Sequence, residues 1–191
     1  MTTARLIVGA TLAIWLAQVC VGAEPARPQR FSAVGSIETA FTPGDAIDSL
    51  IVNAIDGARD EVLVQAYSFT HRRIARALVR ARERGVAVSV LADREQARTL
   101  PQNALPELAA GGVDVCLDGN FQAAHNKVVV VDADTPRAIT ITGSYNFTYA
   151  AQRGNAENVV ILRDNPPAAR AYRSNWMRLK GACVPFTKDA Q

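Results

Sequence analysis

At 191 residues with a formal net charge of +3, the chain suits one domain with a proper buried core rather than two. The mildly basic balance permits a polyanionic partner without demonstrating one, because a local patch matters more than the total. The sequence carries no long repeat or low-complexity tract, and no close His, Cys, Asp or Glu cluster of metal-ligand type, so no cofactor or metal is expected.

The first 23 residues stand apart. Arg5 precedes an apolar stretch from Leu6 to Val21, and Val21-Gly22-Ala23 precedes Glu24, which is the order of a secretory signal cleaved after Ala23. The competing reading is a retained anchor, since the run is near the lower limit for spanning a bilayer. Cleavage implies a periplasmic or secreted protein with no stable membrane association. Residues 24–31, EPARPQRF, are proline-rich and polar and read as a linker, leaving 32–191 as the domain. Cys20 departs with the signal. Cys116 and Cys183 remain, either paired in an oxidising compartment or as two separate buried thiols.

The domain then alternates. Ser32 to Phe41 has strand character, and Thr42-Pro43-Gly44-Asp45 opens a helix with Ile47, Leu50, Ile51, Ala54 and Ile55 on one face, ended by Gly57. Glu61 to Phe69 reads as a buried strand, followed by Thr70 as N-cap and a helix with Ile74, Ala77, Leu78 and Ala81 as its apolar stripe. Val86 to Leu91 is the next strand, and this strand, helix, strand order predicts a parallel pair. A helical or irregular stretch from Arg94 to Ala110 leads to strands at Val113 to Leu117, His125 to Val131, Ala138 to Thr142 and Glu157 to Leu162. Asp134-Thr135-Pro136 makes a hairpin turn, and Pro166 to Leu179 closes the domain as a helix. The fold class is α/β, with a mixed, largely parallel sheet flanked by helices on both faces.

The chemistry concentrates in HNKVVVVDADTPRAITITGSYN, residues 125–146. Side chains alternate along a strand, so His125 and Lys127 share a face and Asn126 points away. A neutral imidazole can attack phosphorus or shuttle a proton, and a neighbouring ammonium can hold the oxygens whose charge grows in the transition state. Gly143 permits close backbone approach, and Ser144 and Asn146 add neutral hydrogen-bonding groups. A helix starting near Tyr145 would add backbone N–H groups.

The order His-x-Lys-x4-Asp followed by Gly-Ser-x-Asn resembles the phospholipase D superfamily. Within it, YSFTHRRIARAL at 67–78 and RGNAENVVIL at 153–162 are similar to the bacterial phospholipase D-like endonucleases. The resemblance implies a phospholipase D/nuclease-like sandwich in which His125 forms a phosphohistidine. It also implies that Lys127, Ser144 and Asn146 bind the phosphate and that Glu157 orients the imidazole. Ten residues separate Asp132 from Gly143 where the family usually has six, and the excess falls in the Asp134 to Arg137 turn. Asp132, at an odd offset from His125, is read as a structural carboxylate or one that backs the site rather than a proton donor.

Cleaving a phosphodiester through a covalent intermediate needs a nucleophile and also an acid for the leaving oxygen. His71, the other histidine, lies at a helix start without a companion lysine and is assigned a structural role or one that backs the site. A two-fold homodimer would instead bring two copies of His125 together.

Arg72, Arg73, Arg76, Arg80 and Arg84 form a basic helix face, either simply solvated or touching DNA backbone. Arg153 is a candidate substrate contact, balanced against a structural ion pair. Tyr145, Phe147 and Tyr149 either stack on bases or belong to the core. The expected activity is metal-independent, non-specific endonucleolytic hydrolysis of nucleic acid, with DNA as the first substrate and RNA as the second. The alternatives are a lipid phosphodiesterase and a non-catalytic DNA-binding or envelope protein.

Overall fold

The computed structural model describes residues 28–187, so the signal-like segment and the first half of the linker, residues 24–27, lie outside the described residues. In chain order the elements are β1 (Ser36–Thr42), α1 (Ile47–Asp56), β2 (Glu61–Ala66), α2 (Arg72–Glu83), β3 (Ala87–Asp93), α3 (Arg94–Thr99) and α4 (Leu105–Ala110). There follow β4 (Asp114–Asp118), β5 (Lys127–Val131), β6 (Ile139–Gly143), α5 (Tyr149–Arg153), β7 (Glu157–Arg163), α6 (Pro166–Lys180) and β8 (Val184–Pro185). All eight strands join one sheet in the order β1-β7-β6-β5-β2-β3-β4-β8.

The mixed sheet with helices on both faces matches the sequence reading, but the expectation of largely parallel pairing does not hold. Only β2–β3 and β3–β4 are parallel, and the other five pairings are antiparallel. The physical reason lies in the connections: the short 119–126 link from β4 to β5 and the 132–138 turn from β5 to β6 are too short for a parallel crossover.

The central strands are buried on both faces, as their near-continuous apolar sequence demands. In β5 all of KVVVV is buried, and in β2 everything after Glu61. One face packs against α1, α2 and α4 through Ile51, Ile55, Ile74, Leu78, Leu105 and Leu108. Among the described residues the other carries α6 alone, whose Ala169, Trp176 and Leu179 meet Leu63, Leu91, Val128 and Val130. The Trp176 indole N–H donates to the Val64 carbonyl at 2.9 Å, which pins the helix across the middle of the sheet. Asn165 caps α6 by accepting from the Ala168 N–H, with Pro166 at the first helical position.

Cys116 on β4 is disulfide-bonded to Cys183 ahead of β8, with Cα atoms 5.9 Å apart, which settles the alternatives left by the sequence in favour of pairing. Helix α2 begins one residue later than expected, with His71 rather than Thr70 at the N-cap and no side-chain capping bond. Among the described residues, no helix is long and apolar enough to cross a membrane.

Candidate active site

Strand direction gathers the site. β2 and β6 run toward one edge of the sheet, and β5 and β7 start there. The residues after β2 and β6 therefore meet those that open β5 and β7. Lys127 opens β5 opposite Ala66, while His125 stands just ahead of the strand; the Tyr67 N–H continues the ladder to the Asn126 carbonyl at 3.0 Å.

His125 and Lys127 come together as their spacing predicts. The Lys127 Nζ lies 3.2 Å and 3.3 Å from the two ring nitrogens of His125 and donates to its carbonyl oxygen at 3.0 Å. Lys127 is only 7% exposed, whereas His125 is open to solvent. Burial holds the Lys127 ammonium below the usual lysine range, and the negative charge of Glu157 opposes that shift without cancelling it. The result is a fixed, partly desolvated cation beside an accessible imidazole, where an anion gains most from it.

Ser144 follows β6, where the Gly143 backbone runs so close to the Asn158 carbonyl that a Cβ would collide with it. The Ser144 hydroxyl donates to Glu157 Oε2 at 2.5 Å and accepts from the Asn158 N–H at 3.0 Å. The other Glu157 oxygen accepts from Asn155 Nδ2 at 2.9 Å, and the Glu157 N–H is held by the Thr42 hydroxyl. Within one chain the Glu157 carboxylate thus bonds Ser144 and Asn155, and its hydrogen-bond partners do not include His125. Asn146 is half-buried, and its Oδ1 is buried with no partner.

Asp132 lies at the opposite end of β5. In a left-handed conformation (φ 48°), it accepts the N–H groups of Arg59, Asp60 and Glu61, at 2.8–3.0 Å for the shortest of each. Its place is structural, and it does not back the site. The helix expected from Tyr145 starts instead at Tyr149, because Thr148 takes the capping role through the Ala151 N–H. Tyr145 and Phe147 are core residues, and Tyr149 is exposed. Burial, reinforced by Asp48 and Glu157, pushes the Tyr145 phenol far above its usual range, so it stays neutral. Arg153 is exposed, makes no ion pair among the described residues and sits 5.7 Å over the Tyr149 ring. The five arginines of the basic face, four on α2 and Arg84 just after it, share three carboxylates. Arg72 and Arg76 reach Glu107, Arg73 reaches Asp48, and Arg80 and Arg84 reach Asp56.

Sequence reasoning missed Tyr67 and Asn155. The Tyr67 ring packs on His125 and also lies under the Lys127 ammonium. Its signal was an aromatic residue at the end of a buried strand run; for Asn155 it was a polar residue two before Glu157. Beside His125 an open groove of about 430 Å³ is bordered by Phe121, Asn126, Asn175 and Arg178.

A cation-backed imidazole with a hydroxyl and an amide nearby defines a site for phosphoryl chemistry, and comparison with known proteins gives the family. Residues 51–179 match the family model described as "Cardiolipin synthase, PLD-like domain". The chain is 39% identical over 146 residues to a protein named Phospholipase D from Rickettsia felis, covering 76% of this chain and 70% of that one. It is 31% identical over 142 residues to one named Mitochondrial cardiolipin hydrolase from Xenopus laevis, covering 74% and 64%. Among solved structures, Nuc from Salmonella typhimurium, a phospholipase D family member, superposes with a TM-score of 0.73 at 32% identity, over 80% of this chain and 99% of that one. NucT from Helicobacter pylori superposes with a TM-score of 0.69 at 27% identity, over 79% and 100%. The chain belongs to the phospholipase D superfamily, and it is a hydrolase of the phosphodiesterase class.

Proposed function

We propose that the protein is an exported, non-specific endonuclease that hydrolyses DNA, and RNA as well, through a phosphohistidine on His125. The observation that carries this reading is the buried Lys127 ammonium held against an open imidazole. His125 attacks phosphorus, an N–P bond forms and the bond to the leaving oxygen breaks. A second imidazole protonates that oxygen, then takes a proton from the water that splits the N–P bond, which releases a phosphomonoester and restores His125. Lys127, Ser144 and Asn146 hold the non-bridging oxygens. Arg153 contacts a neighbouring phosphate.

The second imidazole is His125 of another copy. What supports pairing is the sheet face beside α6, where Ile37 (67% exposed) and Phe41 (56% exposed) leave an apolar strip on β1. Phe41 pairs with Asn158, whose N–H meets Ser144, so the strip runs up to the site and a partner seated on it reaches the chemistry. Export is supported by the Cys116–Cys183 disulfide together with the signal-like segment.

Nucleic acid is favoured over lipid by the Arg178 guanidinium and the Asn126 and Asn175 amides that border the groove beside His125, alongside Phe121, Ala123, Ala124 and Leu179. The names of the Rickettsia and Xenopus relatives favour the second reading, a lipid phosphodiesterase. One preparation assayed on plasmid DNA, RNA, phosphatidylcholine and cardiolipin, each in EDTA and with a His125→Ala control, separates them. Chelator-resistant cutting of DNA that His125→Ala abolishes is expected. Lipid turnover alone would establish the second reading, and full loss in EDTA restored by a divalent ion would defeat the mechanism.

A further inference from the structure

The sheet edge opposite His125 carries a second concentration of positive charge. Arg59 precedes β2, Arg137 ends the turn before β6 and Arg163 ends β7, and all three border one open pocket of about 340 Å³. Seven residues of nearly extended chain separate His125 from Asp132, so this pocket is about 20 Å from the nucleophile and cannot share its phosphate.

Two of the three arginines pair with no acid among the described residues. The Arg59 and Arg137 side chains have no hydrogen-bond or ion-pair partner among the described residues, and Arg163 is bound on one side to Glu38 at 3.0 Å. Asp132 borders the pocket too, but both its oxygens already accept backbone N–H groups. The carbonyls at the end of α1, which would repel an anion, are partly covered: Arg84 donates to Ile55 and Ala58. Arg137 belongs to the turn that lengthens this hairpin beyond the spacing usual in the family, so the extra residues bring a third guanidinium to a place that already had two.

We propose that this pocket binds a dianionic phosphomonoester, the group that phosphodiester hydrolysis releases once per turnover. Guanidinium groups supply paired donors in a plane, which suits the several oxygens of a terminal phosphate better than the two free oxygens of an internal diester. The identity of the ligand as reaction product rests on the phosphodiesterase reading; the binding of phosphate does not.

The test uses the chain carrying His125→Ala and Lys127→Ala, which removes turnover and the main phosphate contacts of the active site. It is titrated calorimetrically at constant ionic strength with inorganic phosphate and with a nucleoside 5′-monophosphate. Both ligands are expected to bind one per chain. Adding Arg59→Ala and Arg137→Ala should weaken each at least tenfold, whereas Arg98→Ala, on a distant helix, should leave both unchanged. If the double arginine variant does not fold, Arg137→Gln in the exposed turn gives the same comparison. Affinity unchanged by the pocket variants, or equal displacement by chloride, overturns the site. Binding of inorganic phosphate without the nucleotide overturns its assignment to the product. Failure of the phosphodiesterase reading would appear separately, as inactive wild-type protein.

Discussion

The Tyr67 and His125 rings lie 4.3 Å apart, centroid to centroid, and are tilted by 54°, while the Lys127 ammonium stands 4.9 Å from the centre of the same phenol ring. One aromatic face therefore fixes both members of the reactive pair. Aromatic packing and a cation–π contact together are worth about 1.5–3 kcal/mol. Replacing Tyr67 with Leu should slow phosphoenzyme formation about 10- to 100-fold, and Tyr67→Phe should stay within about threefold of wild type. Single-turnover trapping measures both, and a Leu variant as fast as wild type would show that Tyr67 positions nothing.

Because burial lowers the Lys127 pKa, the ammonium loses its charge at a lower pH than an ordinary lysine, about 10.4. If that charge holds substrate, the alkaline limb of kcat/KM falls below that pH. Glu157 opposes the shift, so Glu157→Gln should move the limb further down in whatever activity remains. Lys127→Arg should move it up. A limb that neither substitution moves has another origin.

His71 is 5% exposed, with both ring nitrogens lacking hydrogen-bond partners; Asp48 is 3.6 Å away, too far for a hydrogen bond. Burial lowers its pKa, assisted by Arg73, and Asp48 opposes the shift. The folded chain thus takes up this proton at lower pH than the unfolded chain, whose histidine titrates near 6.5. Between the two values the unfolded state binds more protons, so stability rises with pH through that window and is lost on acidification below about 6.5. Denaturant melts at several pH values should show this slope in wild type and a flatter one in His71→Gln.

The three N–H groups gathered by Asp132 tie the end of β5 to the start of β2. Asp132→Ala should cost roughly 2–4 kcal/mol, because hydrogen bonds to a charged acceptor are lost and donors are left without partners. Turnover per folded molecule should stay within about twofold. A large fall in kcat with unchanged stability would place Asp132 in the chemistry instead.

The Cys116–Cys183 bond closes a long segment, at a sequence separation of 67. Replacing both cysteines with Ser should lower stability by roughly 2–4 kcal/mol, read as a lower melting temperature that added reductant does not change further.

Periodicity made the helices and the buried strands legible, because both repeats mark which side chains must leave water. His125, Lys127, Ser144, Asn146 and Glu157 do lie at or beside the ends of strands at one edge. Strand direction was less legible. The β2-β3-β4 crossovers announce parallel pairing locally, but β1 beside β7 joins chain segments more than a hundred residues apart, and no local pattern encodes that pairing. Glu157 illustrates the same limit in the site. Its position could be marked, but its bonds to Ser144 and Asn155 depend on which strands become neighbours.

The turn between β5 and β6 lies at the far edge of the sheet, a full strand length from His125. Residues can be added there, or new chain termini opened by circular permutation, without displacing the strand ends that carry the chemistry. The hairpin therefore makes the molecule modular: changes at 134–137 alter the lining of the arginine pocket and leave the strand ends at the opposite edge in place.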